Sequence, residues 1–429
     1  MNKEVKSQRE PKFLNSGSYG CTFRPGLKCD GTGSTTEKFI TKIQVGDETS
    51  KREVEIGEKV RQIDKYQQYY APIMKNCNVS LSTVSKTEIE KCKILQNKSD
   101  DMMSSALTYE ANKIRYVGKN TLIKHLLNVY STRSMGVVRE LVNCHNILLT
   151  GFNKLADAGI IHFDVKENNV ICEDNTGRPI IIDFGLSADV ATIEEKEYKE
   201  AFYIYGPEYA PWCIELVTIA YAVNEIEDVE GSNDSIAGFI GFGEKVETKD
   251  WKEQQVKQDQ INKIINDYFK KNTAMRELLT EREQDDYRKR IQTYYNTYVG
   301  KKWKEFVKDI QANWLTWDNY GLSVTILYII HYLRLTINGK DNNMLAGYKK
   351  YLIDAITTLP THRISCENTM MKMKELFGNV GRSETVNINK QIRKISKNKE
   401  NREDIATNVL SSIKNELIIQ KEIYKVTTA

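Results

Sequence analysis

His162-Phe163-Asp164-Val165-Lys166-Glu167-Asn168-Asn169, followed shortly by Ile180-Ile181-Ile182-Asp183-Phe184-Gly185, decides how the chain is read. An apolar, helix-like run from Asn146 to Ala158 leads into the first string, and the β-like Val170-Ile171-Cys172 follows it. Asp164 therefore falls on a loop, where a substrate hydroxyl could reach its carboxylate. Lys166, two residues on, is placed to neutralise a transferring phosphate. Asp183 ends a short apolar strand that would deliver its carboxylate from a rigid element, and Asn169 adds a neutral oxygen for the same divalent metal. A base, a cation and two oxygen ligands are the parts phosphoryl transfer needs, because that reaction is mostly positioning and charge stabilisation. Either string alone is an ordinary polar turn. Together, in this order, they point to one site.

The set resembles that of the eukaryotic-type protein kinases, and Lys166 resembles the serine/threonine class. The resemblance implies an α+β bilobal fold: a small β-rich lobe over 12–118 and a large, mainly helical lobe over 119–377. It implies ATP and Mg²⁺, with Mn²⁺ as a substitute, and a protein substrate phosphorylated on Ser or Thr. Asp164 would be the base, Lys166 the phosphoryl-stabilising cation, and Asn169 and Asp183 the metal ligands.

Upstream, Leu14-Asn15-Ser16-Gly17-Ser18-Tyr19-Gly20-Cys21-Thr22-Phe23 resembles the family's glycine-rich loop over the nucleotide phosphates, with Asn15 at the first glycine position. Asn tolerates positive φ, which would let the turn survive. Lys42, in the alternating run Lys38 to Ile43, falls where the family's strand lysine grips the α- and β-phosphates. A helix is expected from Ser50 to Ile63, and Glu53, Glu55 and Glu58 are its candidate partners for Lys42; Glu53 fits the family pattern best. Tyr116 and Val117 resemble the hinge, whose backbone would face the adenine edge. The polar loop from Asn76 to Leu107 has no evident place.

Downstream, Pro207-Glu208 resembles the end of an activation segment, and Arg363 the arginine that pairs with its glutamate. Asp318 resembles the aspartate that holds the backbone of the catalytic loop, and Val324 to Ile330 the buried central helix. Between them lies an insertion, about 225–313, whose Val256, Ile261, Ile264, Ile265 and Phe269 predict helices with one buried stripe. It would serve as packed support or as a partner platform. Phe163 stands where the family has an arginine that receives an activation-loop phosphate, so activity independent of phosphorylation at Ser187 or Thr192 is expected. The threonine expected before Pro207-Glu208 is missing.

The 429 residues suffice for two lobes and an insertion. A net charge of +4 gives no reason to expect nucleic-acid binding. The 378–429 segment reads as a basic linker and a C-terminal helix. Eight cysteines without zinc spacing suggest a reduced, intracellular protein, and no apolar stretch is long enough to span a bilayer. Gly17 to Cys29 is similar to the glycine-loop extension of kinases encoded by large nucleocytoplasmic DNA viruses, which would place the protein in infected-cell cytoplasm or in virions. Two other readings stand beside the active kinase: a catalytically silent scaffold, and a kinase-fold enzyme acting on small molecules.

Overall fold

The computed structural model describes residues 10–16, 20–29, 37–44, 48–93, 95, 109–132, 137–195, 198–226, 251–333 and 343–378. They form a mixed α+β structure in two compact units. Among the described residues, the first runs to Leu122 and also takes in Asn168–Ser187; the second comprises Ile123–Glu167 and the described residues from Ala188 to Gly378. The division is thus not into two contiguous halves, and the string around Asp164 is cut between Glu167 and Asn168.

The first unit is built on β1 (Lys12–Ser16), β2 (Gly20–Arg24), β3 (Phe39–Gln44), α1 (Glu48–Gln62), β4 (Ile73–Val79), α2 (Lys86–Ile89), β5 (Tyr109–Arg115) and β6 (Asn120–Thr121). Its five-stranded antiparallel sheet has the order β1-β2-β3-β5-β4. Alternation in Phe39-Ile-Thr-Lys-Ile-Gln buries Thr41 and Ile43 and leaves Ile40 and Lys42 half-buried, the period of a strand with two unlike faces. Residues 76–93 and 95, unplaced by sequence, close an apolar core. Leu81, Val84, Ile89 and Leu95 pack with Leu27 and the sheet residues Phe23, Ile43, Val79 and Ala111.

Helices α3 (Leu122–Thr132) and α4 (Val137–Asp157) and strand β7 (Ile160–Ile161) follow. Val138, Leu141, Cys144, Leu148, Phe152 and Leu155 recur at the three- and four-residue intervals of one buried helix face. The hairpin β8 (Val170–Cys172) and β9 (Pro179–Ile181) then returns to the first unit, with Val170 opposite Ile181.

The rest of the second unit comprises β10 (Ala188–Asp189), α5 (Val190–Glu195), α6 (Ile214–Glu225), α7 (Gln258–Lys271), α8 (Thr273–Leu278), α9 (Glu281–Asn296), α10 (Trp303–Gln311), α11 (Trp317–Tyr332), α12 (Asn343–Thr357) and α13 (Cys366–Gly378). From Trp317 to Ile330 every residue of α11 is buried, as its run of apolar residues on all sides requires. The expected stripe of the insertion is present, with Val256, Ile261, Ile264, Ile265 and Phe269 all buried. Thr280 begins α9 with a reciprocal cap: its hydroxyl accepts from Glu283 N at 3.3 Å, and the Glu283 carboxylate accepts from Thr280 N at 2.8 Å. Residues 227–250 of the insertion and the expected basic linker after 378 lie outside the described residues.

The cysteine expectation needs correction. Cys21 is bonded to Cys92 and Cys29 to Cys77, both in the first unit, while Cys144, Cys172, Cys213 and Cys366 are buried thiols outside any disulfide. Disulfides persist where thiols are not kept reduced, so cysteine usage no longer supports a reduced setting. Among the described residues, no helix is long and apolar enough to cross a membrane.

Candidate active-site groups of the two units

In the first unit, Lys42 lies mid-strand in β3, opposite Thr22 on β2 and Asn112 on β5. Its ammonium donates to both Glu53 carboxylate oxygens at 3.0 Å and to Asp183 Oδ1 at 3.2 Å. Burial alone would lower the lysine pKa. The charges of Asp183 and Glu53 outweigh it and raise the pKa above the ordinary range, so Lys42 is a fixed cation. Helix α1 begins only four residues after β3, which explains how so short an interval delivers Glu53 rather than Glu55 or Glu58.

Glu53 is itself held from behind, a feature sequence reasoning missed. Gln44 Nε2 donates to Glu53 Oε2 at 2.7 Å, Asn112 Nδ2 donates to Gln44 Oε1, and Asn76 Nδ2 donates to Asn112 Oδ1 at 2.9 Å. This chain of amides fixes a buried carboxylate that would be costly if left unpaired. Its only trace in the sequence is a polar residue where each of β3, β4 and β5 would otherwise be apolar.

Asp183 has φ 61°, the left-handed region that Asp tolerates better than most residues. Phe184 is buried against Tyr70, with ring centroids 6.2 Å apart. Ile182 N donates to Asn169 O at 2.9 Å, continuing the β8–β9 register beyond the strands. One hairpin thus carries both expected metal ligands. A carboxylate and an amide oxygen suit a hard divalent cation.

Of the expected glycine-rich loop, Gly17, Ser18 and Tyr19 lie outside the described residues. Leu14 is exposed on β1 and Thr22 sits on β2. Asn15 does not adopt the positive φ expected of it. It sits at an irregularity in β1, its Oδ1 accepting from Ser16 N at 2.9 Å. Gly20 is required by space, since a Cβ there would collide with the Ile43 carbonyl. At the expected hinge, Tyr116 N–H donates to Lys38 O at 2.8 Å and the Arg24 guanidinium covers the tyrosine ring. Val117 joins Ala71 and Ile180 in an apolar cluster edged by Ile114, Ile171 and Ile182.

In the second unit, the residues around Asp164 are gripped through their backbone. Asp318 accepts His162 N–H at 2.8 Å and Phe163 N–H at 3.1 Å; Trp212 Nε1 donates to Phe163 O at 3.0 Å, and Thr325 Oγ1 donates to Val165 O at 2.9 Å. Phe163 has φ 64°, a strained conformation for a bulky residue that these bonds over-determine. Burial raises the pKa of Asp318, against the lowering effect of His162 and the two amides. The Asp164 carboxylate is nearly buried; Lys166 Nζ lies 3.0 Å from its Oδ1, and the Tyr209 hydroxyl donates to that same oxygen.

Tyr209 was not anticipated, and the expected partner of Arg363 is wrong. Arg363 pairs with Glu215, not Glu208, through Nη1–Oε1 and Nη2–Oε2 contacts of 2.6 and 3.1 Å. The glutamate that meets Arg363 therefore closes the stretch Tyr209-Ala210-Pro211-Trp212-Cys213-Ile214-Glu215, seven residues beyond the predicted one. A further set of metal-ligating types, His125, Glu140 and Cys144, is joined by a 3.0 Å contact from His125 Nε2 to Glu140 Oε1. No protein-family model matches this chain, and no curated protein matches it.

Proposed function

We propose that this protein is an active protein kinase of the eukaryotic type, transferring the γ-phosphoryl group of ATP to serine or threonine hydroxyls of a protein substrate. The observation that carries the reading is the Lys42–Glu53–Asp183 arrangement: a cation held by one buried carboxylate and shared with another carboxylate that remains open to solvent. A purely structural ion pair has no use for the third group. A nucleotide site does, since Lys42 can meet phosphate oxygens while Asp183 turns to a metal.

In this reading the first unit holds the nucleotide. Ile114, Ile171 and Ile182 around Val117 offer an apolar surface to the purine, Lys42 meets the α- and β-phosphates, and Asn169 and Asp183 hold Mg²⁺. When bound, the metal neutralises charge on the phosphates. The second unit handles the acceptor. Asp164 takes the hydroxyl proton, and Lys166 balances charge on the phosphoryl group in transfer. Of the features that favour a silent scaffold, the Asn15 departure and the insertion stand, while the doubt over the Lys42 partner is removed by Glu53.

The test uses full-length protein and its Asp164→Asn and Asp183→Ala variants, incubated with labelled ATP, Mg²⁺ and lysate proteins, with calorimetry of Mg·ATP binding alongside. Asp164→Asn should stop label transfer while keeping nucleotide affinity. Asp183→Ala should lose metal-dependent binding as well. Undiminished transfer by Asp164→Asn, or no heat from wild type, would refute the reading.

A further inference from the structure

The inserted helices reach the residues around Asp164 by two tracks. Asn272, fully buried between α7 and α8, uses its Oδ1 to accept Met275 N–H at 3.2 Å and its Nδ2 to donate to Tyr209 O at 3.0 Å. Tyr209 in turn donates its hydroxyl to Asp164. On the second track, Tyr268 of α7 donates to Trp212 O at 3.3 Å and shares a 2.7 Å contact with the Tyr320 hydroxyl, while the Trp212 indole holds Phe163 O. Tyr209 and Trp212 also pack edge to face, with ring centroids 5.5 Å apart.

We infer that the insertion positions the acceptor-side carboxylate, with Tyr209 and Asn272 as positioning residues for Asp164. The inference deepens the kinase reading and rests on Asp164 being the base. The Tyr209 phenol and Lys166 both engage Oδ1, which fixes the rotamer of the carboxylate that takes the acceptor proton in this reading. Asn272 is suited to the task because one side chain does two jobs. Its oxygen starts α8 as a helix cap, and its amide holds the Tyr209 main chain, so the helix and the tyrosine cannot move independently.

The experiment compares Tyr209→Phe, Asn272→Asp, the double variant and Asp164→Asn in the full chain. Asp is as good a helix cap as Asn, so Asn272→Asp keeps the α8 cap and loses the amide donor. Because it places a carboxyl at a fully buried position, urea denaturation must show the variant folded, and Tyr209→Phe decides the test where it is not. Tyr209→Phe and Asn272→Asp should each lower kcat by about 10- to 100-fold, as misplacement of a reacting group does, with KM for ATP and calorimetric nucleotide affinity unchanged. The double variant should be no worse than Tyr209→Phe, because the two act in series. Wild-type kcat in Tyr209→Phe, a rise in kcat, or fully additive losses would overturn the inference. Should Asp164→Asn stay active, the kinase reading itself fails. If Asp164→Asn is inactive while Tyr209→Phe and Asn272→Asp turn over normally, only the positioning role is lost.

Discussion

Arg363 and Glu215 meet with both side chains wholly shielded from solvent, the guanidinium matched to the carboxylate through two N–O contacts. Two charges so buried are tolerated only because each answers the other. Removing either, in Arg363→Ala or Glu215→Ala, should lower stability by about 3 to 5 kcal/mol. Glu208→Ala, at a half-buried site without that partner, should change it by less than about 0.5 kcal/mol. Urea denaturation of the three variants checks both statements, and a large loss in Glu208→Ala alone would reverse the assignment.

The Glu53 carboxylate accepts from Lys42 and Gln44 at once, so truncating it leaves Lys42 held by Asp183 without its second carboxylate and the Gln44 amide without its acceptor. Glu53→Ala should reduce kcat/KM for ATP by about 10- to 100-fold, the worth of one or two hydrogen bonds to a charged group. Gln44→Leu keeps the ion pair and should cost only about 1 kcal/mol of stability with a smaller rate effect. Steady-state kinetics at varied ATP separates the two; equal losses would show that the amide chain does more than support Glu53.

Phe163 lies 5.6 Å from Phe202 and 6.0 Å from Trp317, ring centroid to centroid, so an aromatic cluster stands where a phosphate-binding arginine was expected. Ser187 is fully buried, and the Thr192 hydroxyl is already donated to Asp189 O at 2.9 Å. Phosphatase treatment should therefore leave the rate unchanged. Phe202→Ala should destabilise by about 3 to 5 kcal/mol and lower activity with it. A phosphatase-sensitive rate would mean that another cation replaces the missing arginine.

Residues whose roles depend on near neighbours in the chain were legible in the sequence, whereas those defined by long-range partners were not. The apolar run before Asp183 and the alternation around Lys42 announced their strands, and the stripe from Val256 to Phe269 announced α7. Glu208 misled because Pro207-Glu208 copies a local pattern. The better signal was Glu215, a lone acid opening the apolar helix α6 and therefore in need of a buried cation. Asn272, Tyr209, the amide chain behind Glu53 and the pairing of four cysteines are products of tertiary contact. Their sequence separations, such as 63 residues from Asn272 to Tyr209 and 71 from Cys21 to Cys92, leave no periodic trace.

The two disulfides are nested, Cys29–Cys77 inside Cys21–Cys92, with separations of 48 and 71 residues. Each restricts the unfolded chain, and loops of this size correspond to about 2 to 4 kcal/mol apiece. Reduction should thus weaken the β1–β5 sheet and leave the helices of the second unit unaffected. Hydrogen exchange with and without dithiothreitol checks this, read separately over residues 20–29 and 73–79 and over α7 to α11. Protection lost equally in both regions would show that the staples act on the whole chain.

His145 is fully buried on α4, its Nδ1 2.6 Å from the Tyr348 hydroxyl, and its Nε2 has no partner among the described residues. Burial lowers its pKa from 6.5 to about 3, because a charged imidazole there would have no counter-ion. The unfolded chain takes up a proton near pH 6.5 that the folded chain refuses until about pH 3. The stability contributed by neutral His145 is therefore complete above pH 6.5 and is lost as pH falls through that window. From pH 6.5 to pH 5 the loss should reach about 2 kcal/mol. Asp318, whose pKa is raised by burial, acts in the opposite sense at lower pH, so the imidazole is isolated by comparing His145→Phe with wild type rather than by the wild-type slope. His145→Phe should be less stable at pH 7, where the Tyr348 hydroxyl loses its acceptor, yet lose less on acidification. Parallel stability curves for the two proteins between pH 7 and pH 5 would show that His145 is not the group that titrates.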